Sequence, residues 1–308
     1  PGTESNVKEI YDQCAELSLD ENNVILNQFS EYGNYLVHRK CTGRALAHVF
    51  ESLAEHAPDL KLAGYVSATG SAGTLGAGDH LKAVHGAKII AVEATECPTL
   101  LENGFGEHNI QGIGDKHVPL IHNAMNTDVI VGVSERSCDA LHLLFNMPAG
   151  RRYLAERRGV SESVIDSLPS LGLSSVANVL GAIKFARHFN LDADSVVLTV
   201  ATDNASLYMS QTPALIEHHF GGEFDDVCAG EVFGEHLRAL GASQLLELTH
   251  RERQRVFNLG YYTWVEQQGV SVEDFERRRT QKFWDGLLKN IASWDEEIEE
   301  VNAKVGLN

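Results

Sequence analysis

The stretch "YVSATGSAGTLGAGDHL", residues 65–81, decides how the chain is read. Small apolar residues run into a turn with glycines at Gly70, Gly73, Gly76 and Gly78, and a helix-forming segment follows. Such a strand–turn–helix gathers backbone N–H groups, and the helix N-terminus adds partial positive charge. The turn is therefore a candidate cup for an anion. Around it, "LKLAGYVSA" and "AKIIAVEA" read as strands, with "TDVIVGVSE" and "SVVLTVATD" as two more. Their apolar runs do not alternate, the pattern of strands covered on both faces. "TGRALAHVFESLAEH" predicts a helix capped by Thr42, with Leu46, Val49, Phe50 and Leu53 on one face. "SSVANVLGAIKFARHFN" predicts a long helix leading into the fourth strand. The expected fold class is α/β, a doubly wound, mostly parallel sheet.

The ends of the chain read differently. "TESNVKEIYDQCAEL" sets Val7, Ile10, Tyr11, Cys14 and Leu17 at helical spacing. A short predicted strand, "NVILNQ", and a predicted loop, "FSEYGNYLVHRKC", follow it. From about Gly230 the sequence is helical, charged and aromatic-bearing with no further strand predicted, a helical C-terminal extension. The basic clusters "RERQR" (251–255) and "ERRR" (276–279) sit among acids and read as solvated helix faces.

Composition narrows the function. The 308 residues are 43% hydrophobic, enough for a substantial core, and no apolar run reaches the ~20 residues a bilayer requires. A net charge of −18 argues against nucleic acid or an anionic membrane surface as partner. Cys14, Cys41, Cys97, Cys138 and Cys228 are widely spaced without a CxxC pair, which points to reduced thiols in the cytoplasm and to no metal. No charged-then-apolar signal segment opens the sequence.

Two kinds of anion can be weighed. A dinucleotide fold would use Glu93, at the end of its strand and 20 residues after Gly73, to hold a ribose. The glycine order Gly70-x-x-Gly73-x-x-Gly76-x-Gly78 lacks the tight first pair of that fingerprint, and Glu93 reads as structural. An NAD(P)-dependent oxidoreductase is thus a minor alternative. The other reading rests on more of the chain. Gly70-Ser71-Ala72-Gly73-Thr74 resembles the G-[ST]-G-G-T loop that cups pyridoxal phosphate in the cysteine synthase-like, fold type II enzymes (cystathionine beta-synthase and tryptophan synthase beta among them), with Ala72 in place of a usual glycine. "NQFSEYGNYLVHRKCTG" (27–43) is similar to the family's "QQF…NP…H…TTG" stretch. "VEATECPTLLENGFGEHNIQGIGDKHVP" resembles its glutamate strand and "IQGIG…P" loop. "GLSSVANVLGAIKFA" is similar to "GISSGAA", and "LTVATDNASLYMS" to "PDSGERYLS".

The resemblance implies a pyridoxal 5'-phosphate enzyme carrying out beta-elimination or beta-replacement on a small amino acid. Thr69, Gly70, Ser71, Ala72, Gly73 and Thr74 would bind the cofactor phosphate, and Asn204 the pyridine nitrogen. Gln28 would bind the substrate carboxylate, with Gly112, Ile113, Gly114, Asp115, Lys116 and His117 lining the side-chain pocket. It also implies a homodimer. One part of the family pattern is missing: no lysine stands in the S-x-K-[DN] context of the Schiff-base lysine, and no "SGNTG" follows. Residues 1–36 would then be a remnant of the small mobile domain, 37–225 the large cofactor-binding domain and 226–308 the extension. Pro1 reads as an internal position, with the lysine expected on an N-terminal fragment or on a second subunit. A non-catalytic or regulatory subunit that kept the phosphate cup is the other alternative.

Overall fold

Five strands form one sheet: β1 (Lys61–Ala68), β2 (Lys88–Ala94), β3 (Val129–Val133), β4 (Ser195–Thr199) and β5 (Leu245–Glu247), in the order β4-β1-β2-β3-β5. The computed structural model describes residues 7–114 and 116–307, so the predicted pocket residue Asp115 lies outside the described residues. β4, β1, β2 and β3 run parallel and are the four strands predicted. Six helices matter to the site and its setting: α1 (Val7–Leu17), α2 (Gly43–His56), α3 (Leu75–His85), α4 (Leu173–His188), α5 (His250–Tyr261) and α6 (Asn290–Val305).

β1, β2 and β3 are covered on both sides, as their unalternating sequence requires, while β4 at the edge is half-buried along its length. Ile90, Val92, Val129 and Val131 face Val176, Leu180 and Phe185 of α4. Ile89, Ala91 and Ile130 point the other way, towards Leu75 of α3 and Val256 and Phe257 of α5. α2 lies outside α3 along Gly43, where an added Cβ would come within 2.7 Å of His80 Cβ. This close approach turns Gly43, Ala47 and Phe50 inward; of the predicted face Phe50 is buried and Leu46 packs beside it, whereas Val49 and Leu53 are half exposed.

Three further local expectations are corrected. The segment "NVILNQ" is not a strand; Val24 and Leu26 are exposed, and no neighbouring strand pairs with it among the described residues. An unpaired extended segment leaves its N–H and C=O groups to water. The predicted loop before α2 is helical: residues Tyr32–Val37 run through a π-helical turn, His38–Thr42, directly into α2. Thr42 is inside this helix, and its Oγ1 lies 3.0 Å from His38 Nδ1 instead of capping. Burial of Tyr35 and Leu36 overrides the weak helix propensity of "YGNY".

The C-terminal segment is not purely helical. β5 pairs antiparallel with β3, Val129 opposite Glu247 and Val131 opposite Leu245. Three residues carry no periodicity, so only the free edge of β3 reveals them as a strand. The basic clusters are not merely solvated. Arg253 lies 2.8 Å from Asp128, and Arg255 donates to Leu100 O at 2.7 Å. Arg278 is buried between Phe275 and Phe257, donates to Leu120 O at 2.7 Å, and is lowered to about 10 by desolvation. A buried network completes the attachment. Asp79 of α3 accepts from Tyr35 Oη at 2.5 Å and from Asn123 and Asn126 Nδ2 at 2.7 Å each. Arg39 joins that tyrosine to Asp285 and to Trp284 O.

Candidate active site

At the end of β1 the chain turns through residues 69–74 into α3. Thr69 is tied to β2, its N–H donating to Val92 O at 2.8 Å and its hydroxyl at 3.2 Å. Beyond it, none of the amide N–H groups of Gly70, Ser71, Ala72, Gly73 and Thr74 has an acceptor among the described residues. Ala72 stands at φ 67, in a left-handed region that Ser71, Gly73 and Thr74 do not share, the kind of turn that makes successive amides converge as an anion nest. Its methyl group in the left-handed region costs about 1 kcal/mol relative to glycine. Asn34 lies over Gly73 and donates to Gln28 O and to Ser71 Oγ, both at 3.0 Å. Thr74 Oγ1 and Ser67 Oγ are 2.6 Å apart across the turn.

A second loop lies against the first. Gly112 and Gly114 both adopt φ 83, and Gly114 N donates to Thr69 O at 2.7 Å. The lack of a side chain at Gly70 eases this approach, since a Cβ would sit a tight 3.0 Å from Gly112 O. Between the loops is a cavity of about 360 Å³. It lies at the carboxyl ends of β1 and β4, on the side where the chain order of the sheet reverses, the usual binding crevice of such sheets. Asn178 of α4 holds those strand ends apart, accepting from Ala68 N at 2.6 Å and donating to Val200 O at 3.1 Å.

Of the predicted site residues, the structure brings Gln28, Gly70, Ser71, Ala72, Thr74, Gly112, Ile113 and Gly114 to this one cavity. Lys116 is exposed and does not line it. His117 is buried outside it, its Nε2 3.0 Å from Tyr11 Oη and its ring against Phe29 and Trp264. Asn204 is also turned away. Its Oδ1 accepts from Ser206 N at 3.0 Å and from the Ser206 hydroxyl, capping the short turn Ala205–Leu207. Thr202 lines the cavity instead, 3.1 Å from Ser174 Oγ.

The sequence reading missed Ser67, Ser174, Asn178, Thr202 and His38, all on the cavity wall. Asn178 could have been found, as a lone amide inside the apolar run "SSVANVLGAI". His38 could not, because its segment predicts a loop; burial holds its pKa below the ordinary value, so it is neutral at pH 7. Glu93 does not face a ligand. Its carboxylate accepts from Leu100 N and Leu101 N, both at 2.8 Å, and burial pushes it up to about 7. No lysine is among the described residues lining the cavity. Lys184, buried in the core, donates to Gly132 O and Ser243 O, and desolvation lowers its pKa.

The donor set fits a phosphate ester attached to a small polar ring. Five unclaimed amides and a helix N-terminus meet a dianion, and the hydroxyls of Ser67, Thr74, Ser174 and Thr202 surround a space within the range of small-ligand pockets. No protein-family model matches the chain. Among curated proteins it is similar to cysteine synthase B of Campylobacter jejuni, 29% identical over 207 residues. That match covers 66% of this chain, and the chain spans 59% of the relative's length. The fold is shared with a hydrogen sulfide-producing enzyme of Fusobacterium nucleatum at a TM-score of 0.54 and 23% identity, over 72% of this chain and 58% of that one. An O-acetylserine sulfhydrylase of Entamoeba histolytica, isoform 3, gives 0.51 and 22% over the same shares.

Proposed function

From a chain that is cysteine synthase-like in fold and in part of its sequence, we propose a pyridoxal phosphate enzyme that carries out beta-replacement or beta-elimination on a small amino acid. The observation that carries this reading is the row of unclaimed amides at residues 70–74, closed over by the Gly112 to Gly114 loop. When bound, pyridoxal phosphate supplies an electron sink for the pair left by a departing α-proton. The protein's part is to bind and orient. The amides of Gly70, Ser71, Ala72, Gly73 and Thr74 hold the phosphate, with the Thr74 and Ser67 hydroxyls at its rim. The ring-nitrogen role read for Asn204 passes to Thr202, whose hydroxyl lines the cavity and can donate to an unprotonated nitrogen. Gln28 takes the substrate carboxylate, and Ile113 with Phe29 gives the side-chain pocket an apolar wall.

The lysine that this chemistry requires comes, in this reading, from a polypeptide segment outside the 308 residues, on the same chain or on a second subunit. A homodimer and a cytoplasmic location accompany the proposal. The test is cofactor binding followed by borohydride reduction and denaturing mass spectrometry. The chain is expected to bind pyridoxal phosphate far more tightly than pyridoxal, to lose about tenfold on Thr74→Val, and to carry no reduced adduct unless the lysine-bearing segment is present. Equal affinity for pyridoxal and its phosphate would refute the cup. A cup that binds, but gives no turnover with any lysine-bearing partner, would favour the non-catalytic subunit.

A further inference from the structure

α6 carries an apolar stripe that stays largely exposed beyond its first residue. Ile291, Trp294, Ile298, Val301 and Val305 succeed one another at spacings of three, four, three and four, the repeat of an a/d seam. Ile291 packs on the cluster around Trp284 and fixes where the helix leaves the body. Beyond it Trp294 is 39% exposed, Ile298 56%, Val301 55% and Val305 62%. Single exposed apolar side chains need no explanation, but four on one seam do. Glu296, Glu299 and Glu300 occupy the far face, and Asp295, Glu297, Asn302 and Lys304 flank the seam.

The flanks choose the occupant. A second copy of α6 laid antiparallel, with Ile298 against the partner's Val301, also sets Trp294 against the partner's Val305. In that register Glu297 faces the partner's Lys304 and Asp295 faces the partner's Asn302, and two-fold symmetry makes each contact twice. A parallel pairing instead sets Glu297 beside the partner's Asn302 and Asn290 beside the partner's Asp295, with no opposite charges meeting. Within the chain Lys304 Nζ lies 3.8 Å from Glu300 Oε2, a solvent-exposed contact that costs little to exchange.

We propose that α6 is a self-association element, and that two copies of this chain join through an antiparallel pair of these helices. The seam from Trp294 to Val305 is about 17 Å long at 1.5 Å per residue, so the association is weak, reversible and concentration-dependent. It is independent of the catalytic reading.

Sedimentation equilibrium of the whole chain tests it, from micromolar to several hundred micromolar concentrations. The expected result is one doubling step, from whatever assembly the rest of the molecule forms. Ile298→Asp should remove that step. Glu297→Lys and Lys304→Glu should each weaken it about tenfold, and the double variant should return to within about threefold of wild type. Glu297, Ile298 and Lys304 are all exposed on α6, and circular dichroism with thermal melting checks that each of the four variants is folded. A wild-type chain with no such step, a step that survives Ile298→Asp, or a double variant as weak as the singles would each overturn the proposal.

Discussion

Gly73→Ala should destabilise the protein through a side chain 39 positions earlier, and should do the opposite once that side chain is removed. A Cβ on Gly73 would stand 2.7 Å from Asn34 Cγ, so Asn34 must swing away. It then loses its bonds to Gln28 O and Ser71 Oγ. A neutral hydrogen bond contributes about 1 kcal/mol, and the more exposed Gln28 contact about half that, giving a loss of about 1.5 kcal/mol. Gly73 is outside the left-handed region, so alanine recovers about 0.5 kcal/mol by restricting the unfolded chain. The single variant should therefore lose about 1 kcal/mol, and Asn34→Ala about 1.5 kcal/mol. Adding Gly73→Ala to Asn34→Ala removes the clash and should restore about 0.5 kcal/mol, a reversal of sign and a coupling of about 1.5 kcal/mol. Urea unfolding monitored by tryptophan fluorescence reads all four stabilities if the slopes agree. Additive losses, or an Asn34→Ala/Gly73→Ala protein less stable than Asn34→Ala, would show that the glycine is needed for another reason.

Two more outcomes follow from buried groups. Glu93 titrates in the folded protein at about 7, above its ordinary value, so folding favours its protonated form. Its contribution is complete below about pH 4 and is lost as pH rises through 7, roughly 3 kcal/mol at most. Glu93→Gln should flatten that part of the stability profile, and chemical denaturation of both proteins between pH 4 and 8 measures the difference. Tyr35→Phe removes the hydroxyl between Asp79 and Arg39 and leaves both short of a partner inside the protein. It should cost about 2 kcal/mol and make the C-terminal helices more open to limited proteolysis; an unchanged proteolysis rate would separate that network from the attachment of the extension.

The parts of the fold legible in the sequence are those set by long, one-sided patterns. β1, β2 and β3 stand out because burial on both faces leaves unbroken apolar runs, half-buried β4 because its largely β-branched run is equally unbroken, and α4 because its helical run precedes β4. β5 is hidden because three residues have no period and depend on an edge more than a hundred positions earlier, Val131 pairing with Leu245. The turn at residues 69–74 is legible because glycines and hydroxyls declare a close backbone approach, as at Gly70 and Thr74. Asn204 and His117 could not be placed that way. Residue type allowed each a site role, but a local cap at Ser206 and an aromatic cluster with Trp264 claimed their side chains. Arg278 had the same ambiguity in reverse: a charged residue in an acidic neighbourhood looked solvated, yet two phenylalanine rings and a carbonyl bury it.

The order of strands has a consequence for synthesis. β1, β2 and β3 follow one another in the chain and lie side by side, so they are made first and can pair first. Both outer edges of that trio wait for strands made much later: β4 begins at Ser195 and β5 at Leu245. Until then the nascent chain presents two rows of unpaired backbone groups flanked by valine and isoleucine, a template for joining other chains. β5 is short, but it closes the second of these edges. A chain released before Glu247 should therefore be less a truncated protein than an adhesive one, whatever its chemistry.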